Sequence, residues 1–194
     1  MHRVGVLCEN AKKVEALTGR HYAFFAYEGA SDAEDIVVVM GSGAETVAET
    51  VKYLHRTSNR KVGVIRVRLF RPWSAAMFVD ALPKTTKRIT ILDRCKEPGS
   101  LGEPLYLDVV ASLMQCGLGH LETFAGRYGL SSKEFTPGMV VSIFENMSAS
   151  GKKKFTVGIE DDVTHLSLPY NVSSEPQLLS RVAICDKMAK SCAI

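Results

Sequence analysis

Short β-branched runs recur along the chain, separated by stretches whose apolar positions repeat every three or four residues. A strand that must be followed by a helix before the next strand can only pair in parallel, because each helix returns the chain to the same end of the sheet. Ile36-Val37-Val38-Val39-Met40 is the clearest such run, apolar without alternation, as a strand buried on both faces requires. It stops at Gly41-Ser42-Gly43, and from Ala44 to about Arg56 the residues Val47, Val51 and Leu54 share one helical face while Glu45, Glu49 and Lys52 occupy others.

The pattern then repeats. Ser58-Asn59 breaks the helix, Val62–Val67 supplies a second strand, and Ser74 is placed to cap a helix carrying Phe78 and Leu82. Pro83 closes that helix and Ile89–Leu92 forms a third strand. Glu103-Pro104 opens another helix, with proline where its missing N–H costs least. Leu121–Ala125 is a weaker fourth strand. Thr136-Pro137 opens a helix whose Val140, Phe144 and Met147 share a face, and Phe155–Ile159 is the fifth strand. The expected fold is a three-layer, doubly wound α/β domain on a mostly parallel five-stranded sheet, spanning 35–168. Residues 1–34 read as an N-terminal arm, with a helix around Ala11 to Leu17 and an aromatic run, His21 to Tyr27, that is an arm or an extra strand. Residues 169–194 read as a divergent tail, in which 177–194 forms a short amphipathic helix or frayed coil.

Charge and cysteine usage narrow the functional classes. With 24 basic and 21 acidic residues, a net +3 builds no field that would call for nucleic acid or an anionic membrane. The five cysteines, Cys8, Cys95, Cys116, Cys185 and Cys192, include no C-x-x-C pair, so zinc-ribbon and iron–sulfur spacings are missing and a reducing compartment fits. There is no leader-like N-terminus and no apolar run near the roughly 18 residues a bilayer span needs. Lys152 to Lys154 read as a solvated turn.

Four segments carry candidate chemistry, each with a bland counterpart. Gly41-Ser42-Gly43 between strand and helix is where a phosphate could sit, but Thr46 stands where a dinucleotide fingerprint needs its third glycine and Glu45 repels an anion, so a purely structural turn is favoured. The stretch from Asp93 to Tyr106 follows the third strand, at the carboxyl ends of the strands where ligands and partners collect. Arg94, Lys96, Glu97 and Glu103 suit either a site or a self-satisfied loop pinning an interface, and no nucleophile there stands beside a histidine. Cys95, between Arg94 and Lys96, is a candidate for a lowered thiol pKa, although neighbours in sequence need not be neighbours in space. Arg127, between Gly126 and Gly129, can present its guanidinium to an anion or bridge to an acid, such as Glu134 or one across a domain contact. Glu160-Asp161-Asp162 resembles an acidic metal cluster, yet consecutive residues in extended chain point in alternate directions and seldom chelate one ion. None of the five histidines makes a convincing ligand.

Taken with Gly41–Thr46, Gly126-Arg127-Tyr128-Gly129-Leu130 and Gly158–Thr164, the Asp93–Tyr106 stretch resembles the second domain of pyruvate:ferredoxin oxidoreductase. The resemblance runs from about Leu17-Thr18-Gly19-Arg20 to Leu166-Ser167-Leu168-Pro169. It implies a Rossmann-like unit similar to the C-terminal domain of transketolase, with no cofactor of its own. The family holoenzyme uses thiamine diphosphate, Mg²⁺, iron–sulfur clusters and coenzyme A to convert pyruvate to acetyl-CoA, passing electrons to ferredoxin or NADP. The thiamine and cluster modules are absent here, so the resemblance implies a structural or assembly domain, inactive alone, as a fragment or truncated paralogue. Its implied partners are other domains or subunits of a 2-oxoacid oxidoreductase, in a homo-oligomer without nucleic acid or membrane. Its implied location is the cytoplasm or a mitochondrion-related organelle. No catalytic residue carries over. Asp93, Arg94, Lys96, Glu97, Gly99, Gly102, Glu103, Tyr106 and Arg127 are expected in scaffold or interface roles. The competing expectation is a stand-alone module binding CoA or a nucleotide between Gly41–Gly43 and Asp93–Gly102.

Overall fold

The computed structural model describes residues 2–149 and 151–170. Its elements are α1 (His2–Thr18), β1 (Phe25–Gly29), β2 (Asp35–Met40), α2 (Gly43–Ser58), β3 (Val62–Val67), α3 (Ala75–Asp80), β4 (Arg88–Asp93), α4 (Pro104–Gln115), β5 (Glu122–Arg127), α5 (Pro137–Ser148) and β6 (Lys154–Thr156), with a short 3₁₀ turn at Leu130–Ser132. The sheet order is β1-β3-β2-β4-β5-β6. All neighbours are parallel except β1, which runs antiparallel to β3 with Phe25 opposite Val67 and Gly29 opposite Gly63. The α/β fold with a mostly parallel sheet is as expected, but six strands replace the expected five. The extra one comes from the aromatic run ending at Tyr27, whose second half pairs with β3. A five-residue strand whose only buried side chain is Phe25 has too weak a pattern to separate from loop by periodicity. The expectation for 177–194 lies outside the described residues.

β2 is the axis of the molecule. Ile36, Val37, Val38 and Val39 are all fully buried, and alternate side chains enter opposite layers. Val37 and Val39 join Val47, Val51 and Leu54 of α2 and Met139, Val140, Ile143, Phe144 and Met147 of α5. Ile36 and Val38 join Phe78 of α3 and Leu105, Val109 and Leu113 of α4. These are the two helical layers. α2 carries the chain from β2 towards one edge of the sheet, while α3 and α4, on the opposite face, carry it towards the other; those three crossings share one hand. α5 also moves towards the β6 edge yet lies on the α2 face, so its crossing has the opposite hand, against the usual preference.

Local signals set the helix ends. Asn59 adopts the left-handed conformation (φ 49°) past the end of α2 and its N–H donates to the His55 carbonyl. Ser74 caps α3, its hydroxyl accepting from the Met77 N–H. With only six residues, α3 depends on tertiary contacts. The Phe78 ring is fully buried, 5.6 Å from Phe25 and 5.4 Å from Trp73, and the Trp73 indole donates to Ser112 Oγ of α4 at 2.7 Å. At the opposite end of the sheet the Arg88 guanidinium meets Asp35 at 2.5 and 3.0 Å, locking the starts of β4 and β2 together.

Removing the Phe78 ring leaves a cavity under a helix too short to close it. Phe78→Ala is expected to cost about 3–5 kcal/mol and to lower the midpoint of a circular-dichroism melt by roughly 10 °C.

Candidate functional site

In this strand order β3 and β4 flank β2, so the connections leaving β2 and β4 diverge and open a crevice at their carboxyl ends, the usual ligand position in doubly wound sheets. Its lips are the two segments singled out in the sequence: Gly41–Gly43 after β2, and the loop from Asp93 after β4. Here the crevice is occupied by a side chain of the protein itself. Tyr128, just beyond β5, is 3% exposed, and its hydroxyl donates to the Met40 carbonyl at 3.1 Å. Its ring stands 2.7 Å from where a Cβ on Gly43 would lie, so glycine is required there to admit the tyrosine. Tyr128 N–H donates to the Asp93 carbonyl at 3.1 Å, and the ring packs on Phe135 with centroids 4.5 Å apart. Burial pushes the Tyr128 phenol pKa up. Glu45, in the first turn of α2, is drawn away to Arg66 at 2.8 Å. Both features fit a purely structural glycine turn.

The charged loop closes on itself. Asp93, 2% exposed, accepts from the Leu105 N–H at 3.0 Å and the Tyr106 N–H at 3.1 Å, so a residue from the end of β4 caps α4. Glu103 occupies the cap position by sequence but makes no cap bond; its carboxylate accepts instead from Arg127 Nε at 2.6 Å. Two buried carboxylates therefore share the positive end of α4, one bonded to its amides and one to a guanidinium. A Cβ on Gly102 would meet the Tyr106 ring at 2.4 Å, so only glycine lets the loop turn beneath that tyrosine. Arg94 is exposed, with Nε 3.4 Å from the Gly129 carbonyl. Lys96, Glu97 and Gly99 form the exposed tip, held by a Ser100 N–H to Glu97 carbonyl bond of 3.2 Å. Neither Lys96 nor Glu97 makes an ion pair among the described residues.

The structure decides several alternatives that the sequence leaves open. Arg127 pairs with Glu103 rather than Glu134, because parallel pairing of β5 with β4 brings Arg127 opposite Asp93 and hence beside the α4 cap. The Cys95 thiol pKa is raised, not lowered: burial acts first and Asp93, Glu97 and Glu103 add to it, with Arg127 opposing. Its sequence neighbours Arg94 and Lys96 do not bring it down. Glu160, Asp161 and Asp162 do not converge. Asp162 folds into its own turn, accepting from Thr164 N–H at 3.0 Å, Thr164 Oγ1 at 2.5 Å and Ser167 N–H at 2.5 Å, and these bonds hold its carboxyl below the usual range. Among the described residues no three His, Cys, Asp or Glu side chains gather as a metal group. Lys152 to Lys154 are exposed, as a solvated turn requires, and each also has a partner. Lys152 donates to the His165 and Ser167 carbonyls, Lys153 pairs with Glu122, and Lys154 donates to the Leu101 carbonyl at 2.8 Å. Sequence reasoning misses Tyr128; its one signal is an aromatic beside glycines just past a strand end.

Two measurements check this arrangement. Arg127→Met leaves Glu103 buried without its cation and is expected to lower the unfolding free energy in urea by about 3 kcal/mol, most of it restored by adding Glu103→Leu. The second is a pH dependence. Burial holds the Asp93 carboxyl above its ordinary pKa, the two amide bonds opposing and Glu103 and Asp108 adding to the rise. A carboxyl with a raised folded pKa contributes stability that is complete below its unfolded pKa and is lost as pH rises through the folded one. Relative to Asp93→Asn, which carries no charge at any pH, the wild-type chain should therefore gain stability as pH falls from about 7 to about 4. A difference in urea midpoints that is flat or reversed over that range would contradict it.

Comparison with known proteins gives the family. A family model described as pyruvate:ferredoxin oxidoreductase core domain II matches residues 33–137, which contain the Gly41 turn, the whole Asp93–Tyr106 loop and Arg127. The pyruvate-flavodoxin oxidoreductase of Nostoc sp. (strain ATCC 29151 / PCC 7119) is 57% identical over 156 residues, covering 80% of this chain and 38% of that protein. The pyruvate:ferredoxin oxidoreductase of Moorella thermoacetica is 55% identical over 165 residues, covering 84% of this chain and 14% of that protein. The pyruvate dehydrogenase [NADP(+)] of Cryptosporidium parvum is 56% identical over 159 residues, covering 80% of this chain and 8% of that protein. The chain thus spans between 8% and 38% of the length of these relatives. With more than half of its residues inside that family model, the chain belongs to the pyruvate:ferredoxin oxidoreductase core domain II family.

Proposed function

We propose that this chain is an assembly domain of a pyruvate:ferredoxin or flavodoxin oxidoreductase. It holds other domains of that enzyme in place and carries no catalytic group of its own. The reaction served is oxidative decarboxylation of pyruvate to acetyl-CoA, with electrons leaving to ferredoxin, flavodoxin or NADP. Thiamine diphosphate with Mg²⁺, the iron–sulfur clusters and coenzyme A then belong to the other domains of a homo-oligomeric holoenzyme.

The observation that carries this reading is the crevice: the position where such a sheet would take a ligand is filled by Tyr128, and Asp93, Glu103 and Arg127 beside it are spent on the α4 terminus and on each other. The described residues do not fit the family's thiamine diphosphate or iron–sulfur clusters. Cys8 lies on α1, Cys95 in the loop after β4 and Cys116 at the end of α4, so these three thiols make no cluster cage. Among the described residues no acidic cluster is arranged to hold a cation on a diphosphate. Among the described residues no helix is long and apolar enough to cross a membrane. The Euglena gracilis relative, 48% identical over 167 residues, is named as a mitochondrial pyruvate dehydrogenase [NADP(+)]. The compartment proposed here is accordingly the cytoplasm or a mitochondrion-related organelle.

Ligand-shifted melting separates this reading from the nucleotide-binding one. A ligand at 100 times its Kd stabilises by about 2.7 kcal/mol, which in a chain of this size moves the midpoint by roughly 5–10 °C. Coenzyme A, NADP⁺ and thiamine diphosphate with Mg²⁺ are each expected to leave the midpoint within about 1 °C. A full shift with any of them would replace the assembly role by a binding one.

A further inference from the structure

α4 is apolar on two faces. Leu105, Val109 and Leu113 enter the core, yet the opposite side carries Leu107, Val110, Ala111 and Met114 at i, i+3, i+4 and i+7, the spacing of a second buried stripe. Leu107 is 40% exposed and Met114 66%, and Leu101 in the preceding loop is 84% exposed. A helix apolar on two opposite faces needs a neighbour on each, and this one has a neighbour on only one.

The stripe runs into a cavity. Met114 Sδ lies 2.5 Å from where a Cβ on Gly119 would stand, which puts it against the loop that follows α4. That loop and the end of α3 enclose a groove of about 380 Å³, walled by Val79, Leu82, Leu118 and Leu121 with Lys84 and His120 among its polar lining. This volume exceeds that of one aromatic side chain and suits an anchor residue, around which binding energy concentrates.

Resting on the assembly role proposed above, we infer that the outer face of α4 with this groove is a docking face. Its occupant is an apolar helix from another domain of the same oxidoreductase, with a large aliphatic or aromatic side chain seated between Leu82 and Leu118. The charges select that occupant. No ionised side chain lies in the stripe; Asp108 at its edge is neutralised by Arg71 at 2.7 Å, the groove's Asp80 and Lys84 are of opposite sign, and so are Lys96 and Glu97 at the loop tip. A nucleic acid or an anionic bilayer needs a one-signed basic rim, which is missing. Chain to supply the helix exists in the relatives: the matched region is 14% of the Moorella protein and 38% of the Nostoc protein.

The test uses a full-length chimera of the Moorella oxidoreductase in which the matched segment is replaced by that of this chain, alongside the 194-residue chain itself. Hydrogen exchange of the α4 amides is measured in both, with and without Leu107→Glu plus Met114→Glu. The expected result is exchange on α4 at least tenfold slower in the chimera than in the isolated chain. The paired substitution should abolish that protection while leaving the melting midpoint of the isolated chain nearly unchanged. A chimera that assembles but exchanges α4 at the isolated rate overturns the docking face and leaves the family role standing. Protection found instead in a dimer of the isolated chain, and lost with the paired substitution, overturns it in favour of a second copy. Failure of the unsubstituted chimera to assemble at all removes the assembly role, and this inference with it.

Discussion

Burial of the Asp93 carboxylate against the amino end of α4 is the interaction on which the carboxyl edge of this sheet depends. An unpaired carboxylate taken out of water costs several kcal/mol. Here two amide bonds and the helix dipole offset part of that cost, burial still keeping the carboxyl's pKa raised, and in doing so fix where α4 begins and how it lies on β4. Once α4 starts there, Glu103 must also be buried, and Arg127 at the end of the neighbouring strand is the cation within reach of it. Tyr128 follows one residue later, its amide on the Asp93 carbonyl, and its ring is carried across β4 to the β2 turn. Each step consumes a group that could otherwise have met a ligand.

Most of the parallel sheet is legible in the sequence because its central strands are buried on both faces, and a continuous β-branched run that stops at glycine or at a polar break suits no other element as well. Helices α2, α4 and α5 are legible for the same kind of reason: an apolar stripe plus a glycine, or a proline at the first turn, marks where each begins. What escapes depends on partners distant in sequence. β1 is defined by its pairing with β3 and shows almost no alternation. The face chosen by α5 is not coded by its own stripe, since either face of the sheet would accept Val140, Ile143 and Phe144. The site residues show the same division. That Asp93, Glu103 and Arg127 matter can be read from one crowded, charged turn and the glycine-flanked arginine after it, but their pairing is set by the strand register, which no local pattern reveals.

Tyr128 marks the point where fold and function part. A doubly wound sheet offers a crevice wherever its strand order reverses, whether or not anything is bound there. Leaving it open would expose the Met40 carbonyl and the start of α2 to water; filling it from within removes a ligand site and ties three strand ends together. The glycine at 43, which by sequence alone looks like half of a phosphate loop, is the room that this tyrosine needs. A glycine turn after a strand therefore has two opposite meanings, and the side chain opposite the turn decides between them.

The same economy appears on the outside of the molecule. Because α5 lies on the α2 face, the layer formed by α3 and α4 ends at α4, and the outward side of that helix is left without a neighbour among the described residues. A helix in that position in a free-standing protein would carry charges there, as α2 does with Glu45, Glu49 and Lys52. α4 instead repeats its core spacing towards solvent, while Asp93 and Glu103 are drawn inward at its start and Asp108 is paired at its margin. Polar groups turned in and apolar groups turned out is the distribution that contact with further protein selects, and it argues that the part of this domain built for recognition is a surface rather than a cleft.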